Sequence, residues 1–257
     1  MDKTTFMIAA SLALVIASAS PAMAAEPVKP SADSILRQMS DTLASAKQFS
    51  FRGTREIDAA LAGGLNLQAK SEIEVIVRRP DRMAASSTNK DGLRRMVLDG
   101  SEFTLFDGRE NMYATVPMRS TLDAVPAQLA AVYGFIPPLA DFVMSDPYAD
   151  LRRRSQKISY LGSGTAGTPA VECHRIALSG KLADAELWIG VLDHLPRKMT
   201  AKVKGGTGAG TALTIEFTQW DLLAPATDRT FVFAPPKDAL KIPMMTSAEF
   251  AARAAKK

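Results

Sequence analysis

"LRRMVLDGSEFTLFDGRENMYATVP", residues 93–117, decides the fold class of this 257-residue chain. Two Asp-Gly pairs, Asp99-Gly100 and Asp107-Gly108, each stand between runs in which apolar and polar residues alternate. Alternation puts successive side chains on opposite faces, which is the period of a strand. Asp-Gly is a strong hairpin signal, because glycine takes the positive φ of a tight turn. The stretch therefore predicts antiparallel strands joined by short turns.

The same period extends upstream. "FSFRGTREID" (49–58) sets Phe49 and Phe51 on one face, and in residues 69–88 Ile73, Val75 and Val77 alternate with Glu72 and Glu74 before a break at Pro80-Asp81. The whole reads as a meander of about five strands. Before it, Ser31 to Lys47 carries Ile35, Leu36, Met39 and Leu43 at helical spacing, with Ser31 or Asp33 as N-cap. After it, residues 120–154 are rich in Ala and Leu and punctuated by Pro126, Pro137, Pro138 and Pro147. They predict short helices near Leu122 to Val132, Pro138 to Met144 and Tyr148 to Arg153.

From Gln156 the strand period returns for four or five more strands, "TFVFAPP" (230–236) closes the sheet, and "TSAEFAARAAKK" is a polar tail with a frayed helix as the alternative. Strands on both sides of a helical insert, with antiparallel turns throughout, predict one α+β domain whose sheet wraps its helices. A two-domain split at the insert is the alternative.

The first 24 residues have Lys3, an apolar run from Phe6 to Ala19, then Pro21 and Ala22-Met23-Ala24. That order is a secretory signal cleaved after Ala24, and its apolar run is short of the ~20 residues of a membrane span. The mature protein, residues 25–257, is then a soluble periplasmic domain, which dismisses nucleic acid as a partner. The single cysteine, Cys173, has no internal disulfide partner and predicts a buried, inert thiol. A hydrophobic fraction of 47% supports a real core, and a net charge of +4 is mild.

Chemistry-bearing motifs are sparse. Cys173 and His174 are adjacent on a strand, so they point to opposite faces and do not form a nucleophile–base dyad. His194 beside Asp193 reads as a solvated turn residue, and two histidines with no cysteine pair leave no zinc set. "GSGTAG" (162–167) and "GGTGAG" (205–210) lie between strands and read as hairpin loops, since a phosphate loop needs a helix behind it. Arg78-Arg79, Arg94-Arg95 and Arg152-Arg153-Arg154 read as a solvated rim, with peripheral contact to anionic lipid as the functional alternative. What remains is apolar surplus. Phe103 with Leu105, Leu187 with Ile189, and Leu213, Ile215 and Phe217 each line one strand face, with Phe106, Trp188 and Trp220 on the opposite faces. A face of this kind encloses either a packed core or a cavity, and periodicity does not separate the two.

"RRPDRM", "DGSEFTLFDGRENMYATVP", "GFIPPLADFVMSDPYADL", "TPAVECHRIAL", "ELWIG" and "HLPRKM" resemble a family of predicted periplasmic proteins, domain of unknown function 2092, over residues 31 to 236. That family is in turn similar to the outer-membrane lipoprotein carriers and the sensor domains of periplasmic stress regulators. The resemblance implies an unclosed antiparallel half-barrel, with the N-terminal helix and the short-helix insert covering its concave face. It also implies a non-enzymatic role in holding an acyl chain, lipid or lipidated protein, with no cofactor. The alternative is an envelope sensor or scaffold that binds a protein partner through its surface. The residues expected to line the concave face are Phe103, Leu105, Phe135, Phe142, Leu187, Ile189, Ile215 and Phe217, with Leu122 to Met144 as a lid.

Overall fold

The alternating runs become strands in the computed structural model, which describes residues 30–60, 66–135, 137, 139–205 and 209–254. The stretch of residues 1–24 expected to be a secretory leader lies outside them. The first meander has six strands: β1 (Gln48–Ala60), β2 (Asn66–Arg78), β3 (Arg82–Asn89), β4 (Gly92–Asp99), β5 (Glu102–Asp107) and β6 (Met112–Pro117). The second has five: β7 (Ser155–Ala166), β8 (Val171–Gly180), β9 (Ala183–Gly190), β10 (Pro196–Val203) and β11 (Ala212–Asp221). β1 pairs antiparallel with both β2 and β11, so the two meanders form one continuous sheet. A twelfth strand, β12 (Leu240–Lys241), lies parallel beside β6. The order runs β12-β6-β5-β4-β3-β2-β1-β11-β10-β9-β8-β7. β12 and β7 are its two edges, and the sheet does not close into a barrel.

Both Asp-Gly turns form, by different means. Asp99 accepts from the backbone N–H groups of Ser101 and Glu102, and Gly100 carries φ +90°. In the second turn the positive φ falls on Asn111 rather than Gly108. Glycine is needed at 108 for close approach, since a Cβ there would stand 2.7 Å from the Leu93 carbonyl oxygen.

Helix α1 (Ala32–Ser45) starts on Ser31, whose Oγ accepts from the Ser34 backbone N–H. Its predicted apolar stripe, Ile35, Leu36, Met39 and Leu43, is completely buried. The insert supplies α2 (Val125–Tyr133), α3 (Ala140–Val143) and α4 (Pro147–Arg154). α1 and α4 pack on each other and on β7, inside the curve of the sheet.

Three expectations change. Residues 230–236 do not pair as a strand. A 3-10 turn at Asp228–Phe231 seats the fully buried Phe231 against β3 and β4, and the Phe233 ring lies 5.7 Å from Phe106 and 5.3 Å from Tyr113. This segment straps the outer face, held by the Arg78–Asp228 ion pair. Trp220 shares its face with Phe217 instead of opposing it, because β1 skips Thr218 in register: Arg52 faces Gln219 and Gly53 faces Phe217. That bulge brings the Trp220 ring to 4.8 Å from Phe51 and 5.2 Å from Phe217. Gly162 and Gly164 belong to β7, so the hairpin turns at residues 167–170, and residues 206–208 of the other glycine loop lie outside the described residues. No described helix is long and apolar enough to cross a membrane.

Candidate functional site

Register in the first meander divides its concave face into three rows. The row Val77–Met83–Leu98–Phe103–Val116 runs straight across β2 to β6, and every member is buried. Two residues along each strand, the next row is Val75–Ala85–Met96–Leu105–Ala114. Two further on lies Ile73–Ser87–Arg94–Asp107–Met112. Apolar core thus grades through a floor of smaller side chains into a polar rim.

The middle row is where packing stops. Two of its five members are alanines, and above it lies a cavity of about 610 Å³. Its walls are Phe135 and Leu139 from the insert and Ile242, Pro243 and Met244 from the C-terminal segment. That segment crosses the β6 edge as β12 and continues into α5 (Ser247–Ala254). α5 opens on a reciprocal capping box: Glu249 Oε2 accepts from the Thr246 backbone N–H at 2.8 Å, and the Glu249 N–H donates to Thr246 Oγ1 at 3.2 Å. The polar tail from Thr246 is therefore a capped helix beside α2, and the segment just before it walls the cavity.

The other half of the concave face is filled. Over β1 and β8 to β11 the helices bury Phe49, Phe51, Leu187, Ile189, Ile215 and Phe217. Phe142 of α3 meets Phe217 edge-on at 5.2 Å, and Phe51 meets Phe217 at 5.5 Å. Of the eight residues expected to line the concave face, Leu105 and Phe135 border the cavity. Phe103, Phe142, Leu187, Ile189, Ile215 and Phe217 are fully buried in the core. Sequence reasoning passed over Met96, Ala85 and Ala114, whose place on the floor follows from the alternation already visible in β3 to β6. It also passed over Met244 and Ile242, which no local pattern connects to the sheet.

Two arginines assigned to a solvated rim, or not singled out at all, lie inward. Arg79 follows β2 and ties two helix ends together. Its guanidinium donates to the Ala46 carbonyl at 3.2 Å, Val143 at 2.7 Å, Met144 at 2.8 Å and Leu43 at 3.4 Å. Arg55 of β1 borders the cavity at its polar end and donates Nη2 to Ser87 Oγ at 3.3 Å. Its Nε is buried and, among the described residues, has no partner. Burial, and then repulsion from Arg94, pushes the Arg55 guanidinium below the usual arginine range. Arg94 is held by Asp107, whose Oδ2 accepts from Arg94 Nε at 2.9 Å.

The motif residues fall apart in space as alternation requires. Cys173 is fully buried, which raises its thiol pKa, while His174 sits on the other face with Nδ1 3.3 Å from the Tyr160 hydroxyl. His194 holds φ +56° in the turn between β9 and β10 and is half-buried rather than solvated, its Nδ1 without a partner among the described residues. Among the described residues no group of three or more His, Cys, Asp or Glu side chains is placed to hold a metal.

A family model described as "Predicted periplasmic protein (DUF2092)" matches residues 32–245. No curated protein matches the chain in sequence. Among solved structures, a LolA superfamily protein from Nitrosomonas europaea is 12% identical with a TM-score of 0.35, over 80% of this chain and 99% of that one. MucB in complex with MucA(peri) is 17% identical with a TM-score of 0.37, over 79% of this chain and 60% of that one. A putative outer membrane lipoprotein-sorting protein domain from Vibrio parahaemolyticus is 8% identical with a TM-score of 0.34, over 76% and 94%.

Proposed function

The chain belongs to this family of predicted periplasmic proteins, and on that premise we propose that it is an exported, non-enzymatic binding protein whose half-barrel holds one acyl chain. The chain would be free, part of a lipid, or attached to a lipidated protein. The leader in residues 1–24, cleaved after Ala24, would deliver it to the periplasm. One observation carries the proposal: the row Val75–Ala85–Met96–Leu105–Ala114 is an apolar floor with an unfilled space of about 610 Å³ above it.

That volume falls within the range of about 300–1,000 Å³ usual for small-molecule sites and is far too small for a folded partner. Burying a ~16-carbon chain at about 0.8 kcal/mol per CH₂ gives a gross gain near 12 kcal/mol, from which immobilisation and any displacement of the cover are subtracted. A third of that gain, about 4 kcal/mol, would support millimolar affinity, and two thirds would support micromolar affinity. The walls are suited to admitting a chain, since Phe135, Leu139 and Met244 come from short or irregular segments rather than from the sheet. Thioether side chains adapt well to an occupant of irregular shape.

Displacement of a fluorescent fatty-acid probe from the purified mature protein tests the proposal. Ala85→Phe fills the floor from a buried position and is expected to weaken binding by at least about tenfold, or 1.4 kcal/mol, without lowering the melting temperature. Leu187→Met, in the filled half, is expected to leave binding unchanged. A wild-type protein that takes up no acyl probe, or an Ala85→Phe variant that binds as well as wild type, refutes it.

A further inference from the structure

We propose, on the reading that the cavity receives an acyl chain, that its polar end is an anion subsite in which Arg55, flanked by Arg94, takes the negatively charged head of that chain. The occupant is thereby narrowed from any acyl chain to an anionic amphiphile, with an oxyanion head such as a phosphate.

The first support is the register. A chain lying on the middle row ends, two residues further along each strand, against Ser87, Arg94 and Asp107, and Arg55 reaches this row through its bond to Ser87. Ser71, 4% exposed, pairs with Arg55 across β1 and β2. The apolar floor and the cationic end thus belong to one cavity, which is the shape of an amphiphile.

The second support is the contrast with Arg79. Both guanidinium groups are half-buried and both lose basicity chiefly to desolvation. Arg79 satisfies its donors with four backbone carbonyls, as a structural arginine should. Arg55 has one long bond to a serine hydroxyl, a buried Nε without a partner, and no carboxylate at ion-pair distance among the described residues. Leaving a buried donor of this kind unmade costs about 1–3 kcal/mol. A fold that needed only packing at position 55 would be better served by methionine or leucine. A planar guanidinium beside a second one is suited to a phosphate, which accepts two parallel N–H bonds.

The third support is the charge balance. Of the charged residues that border the cavity, Arg55, Arg94 and Arg95 are positive and Asp107 and Glu110 are negative, with Glu110 paired to Arg109, so positive charge is in excess. Asp107 binds Arg94 through Nε and fixes that guanidinium beside the cavity rather than neutralising Arg55. Arg95, next to Arg94 in β4, also borders the cavity and adds to its positive charge.

Isothermal titration with two ligands of equal chain length, hexadecyl phosphate and hexadecanol, tests the proposal below their aggregation thresholds. Wild type is expected to bind the phosphate at least about tenfold more tightly than the alcohol. Arg55→Met is expected to erase that preference by weakening hexadecyl phosphate at least about tenfold more than hexadecanol, and Arg55→Lys to restore part of it. Inorganic phosphate alone is expected to give no binding heat at millimolar concentration. Equal wild-type affinity for the two amphiphiles, or a preference that survives in Arg55→Met, overturns the subsite while the acyl cavity stands. Phosphate alone binding as tightly as hexadecyl phosphate also overturns it, because the site would then take a free anion. Binding of neither amphiphile refutes the acyl reading itself. Should Arg55→Met fail to fold, the wild-type preference measured against salt replaces it. Screening of an exposed part of the subsite should shrink the preference as salt rises, and a preference unmoved by salt counts against the arginine.

Discussion

Arg79→Met removes the tie that holds the helical cover on the sheet. The four carbonyls that Arg79 satisfies, those of Leu43, Ala46, Val143 and Met144, lie in or just after the last turns of α1 and α3. Carbonyls in a helix's last turn have no intrahelical partner of their own. Methionine keeps most of the aliphatic stem and its contact with Phe49, over whose ring the guanidinium sits at 5.4 Å. The loss is therefore almost entirely polar. A hydrogen bond to a charged group contributes about 1.5–3 kcal/mol net, and the two short bonds, to Val143 at 2.7 Å and Met144 at 2.8 Å, dominate. Against that, the variant no longer desolvates a guanidinium, and part of the freed carbonyl surface regains water. The balance is a destabilisation of about 3 kcal/mol. For a folded unit of this size it corresponds to a fall in melting temperature of about 6–12 °C. Urea unfolding followed by circular dichroism reads it as a lowered midpoint at unchanged m-value. Arg79→Lys should recover less than half, because one ammonium does not span two helix ends. A loss below about 1 kcal/mol would refute the assignment of Arg79 as the tie.

Phe217→Ala, at the centre of the ring cluster formed with Phe51, Phe142 and Trp220, should cost about 3–5 kcal/mol in the same urea assay; a cost under about 1 kcal/mol would mean the half covered by helices is not filled core. Gly53→Ala places a Cβ 2.3 Å from the Glu216 carbonyl oxygen at the bulge and should cost about 1–3 kcal/mol or more, visible as a lowered melting temperature. Asp99 supplies a pH signature. Burial pushes its carboxyl up, but hydrogen bonds from the Glu102 and Ser101 backbone and the Ser101 hydroxyl outweigh it and hold the pKa below the usual range. A pKa lowered on folding contributes stability that is complete above the unfolded value of about 3.9 and vanishes as pH falls through the folded value. The stability gap between wild type and Asp99→Asn should therefore be constant at neutral pH and close below about pH 4, and a gap independent of pH there would contradict the turn geometry.

Legibility in the sequence followed the range of the interactions. The cap on Ser31, the buried stripe of α1, the alternation of Phe49 and Phe51, and the proline-punctuated insert are set within a few residues, and each appears where the pattern places it. The two meanders were visible, but their union through β1 and β11 joins residues far apart in sequence and leaves no local trace. Thr218 shows why face assignments slip: one extra residue in β11 moves Trp220 onto the face of Phe217. "TFVFAPP" alternates as a strand does, yet its phenylalanines serve as plugs under an outer strap. The boundary between cavity and core depends on which half of the sheet the helices cover and on alanines at 85 and 114, a question of filled volume that periodicity does not encode. Arg55 and Arg79 look alike in sequence, and only their partners tell a structural arginine from an unpartnered one.

Native mass spectrometry of the protein purified from the periplasm of its host without detergent, followed by organic extraction, tests the central claim most directly. The account predicts a co-purifying acyl species that carries an anionic head, lost when Ala85→Phe fills the floor and retained in Leu187→Met. A clean apo mass, with no uptake of added fatty acids or phospholipids, would contradict it.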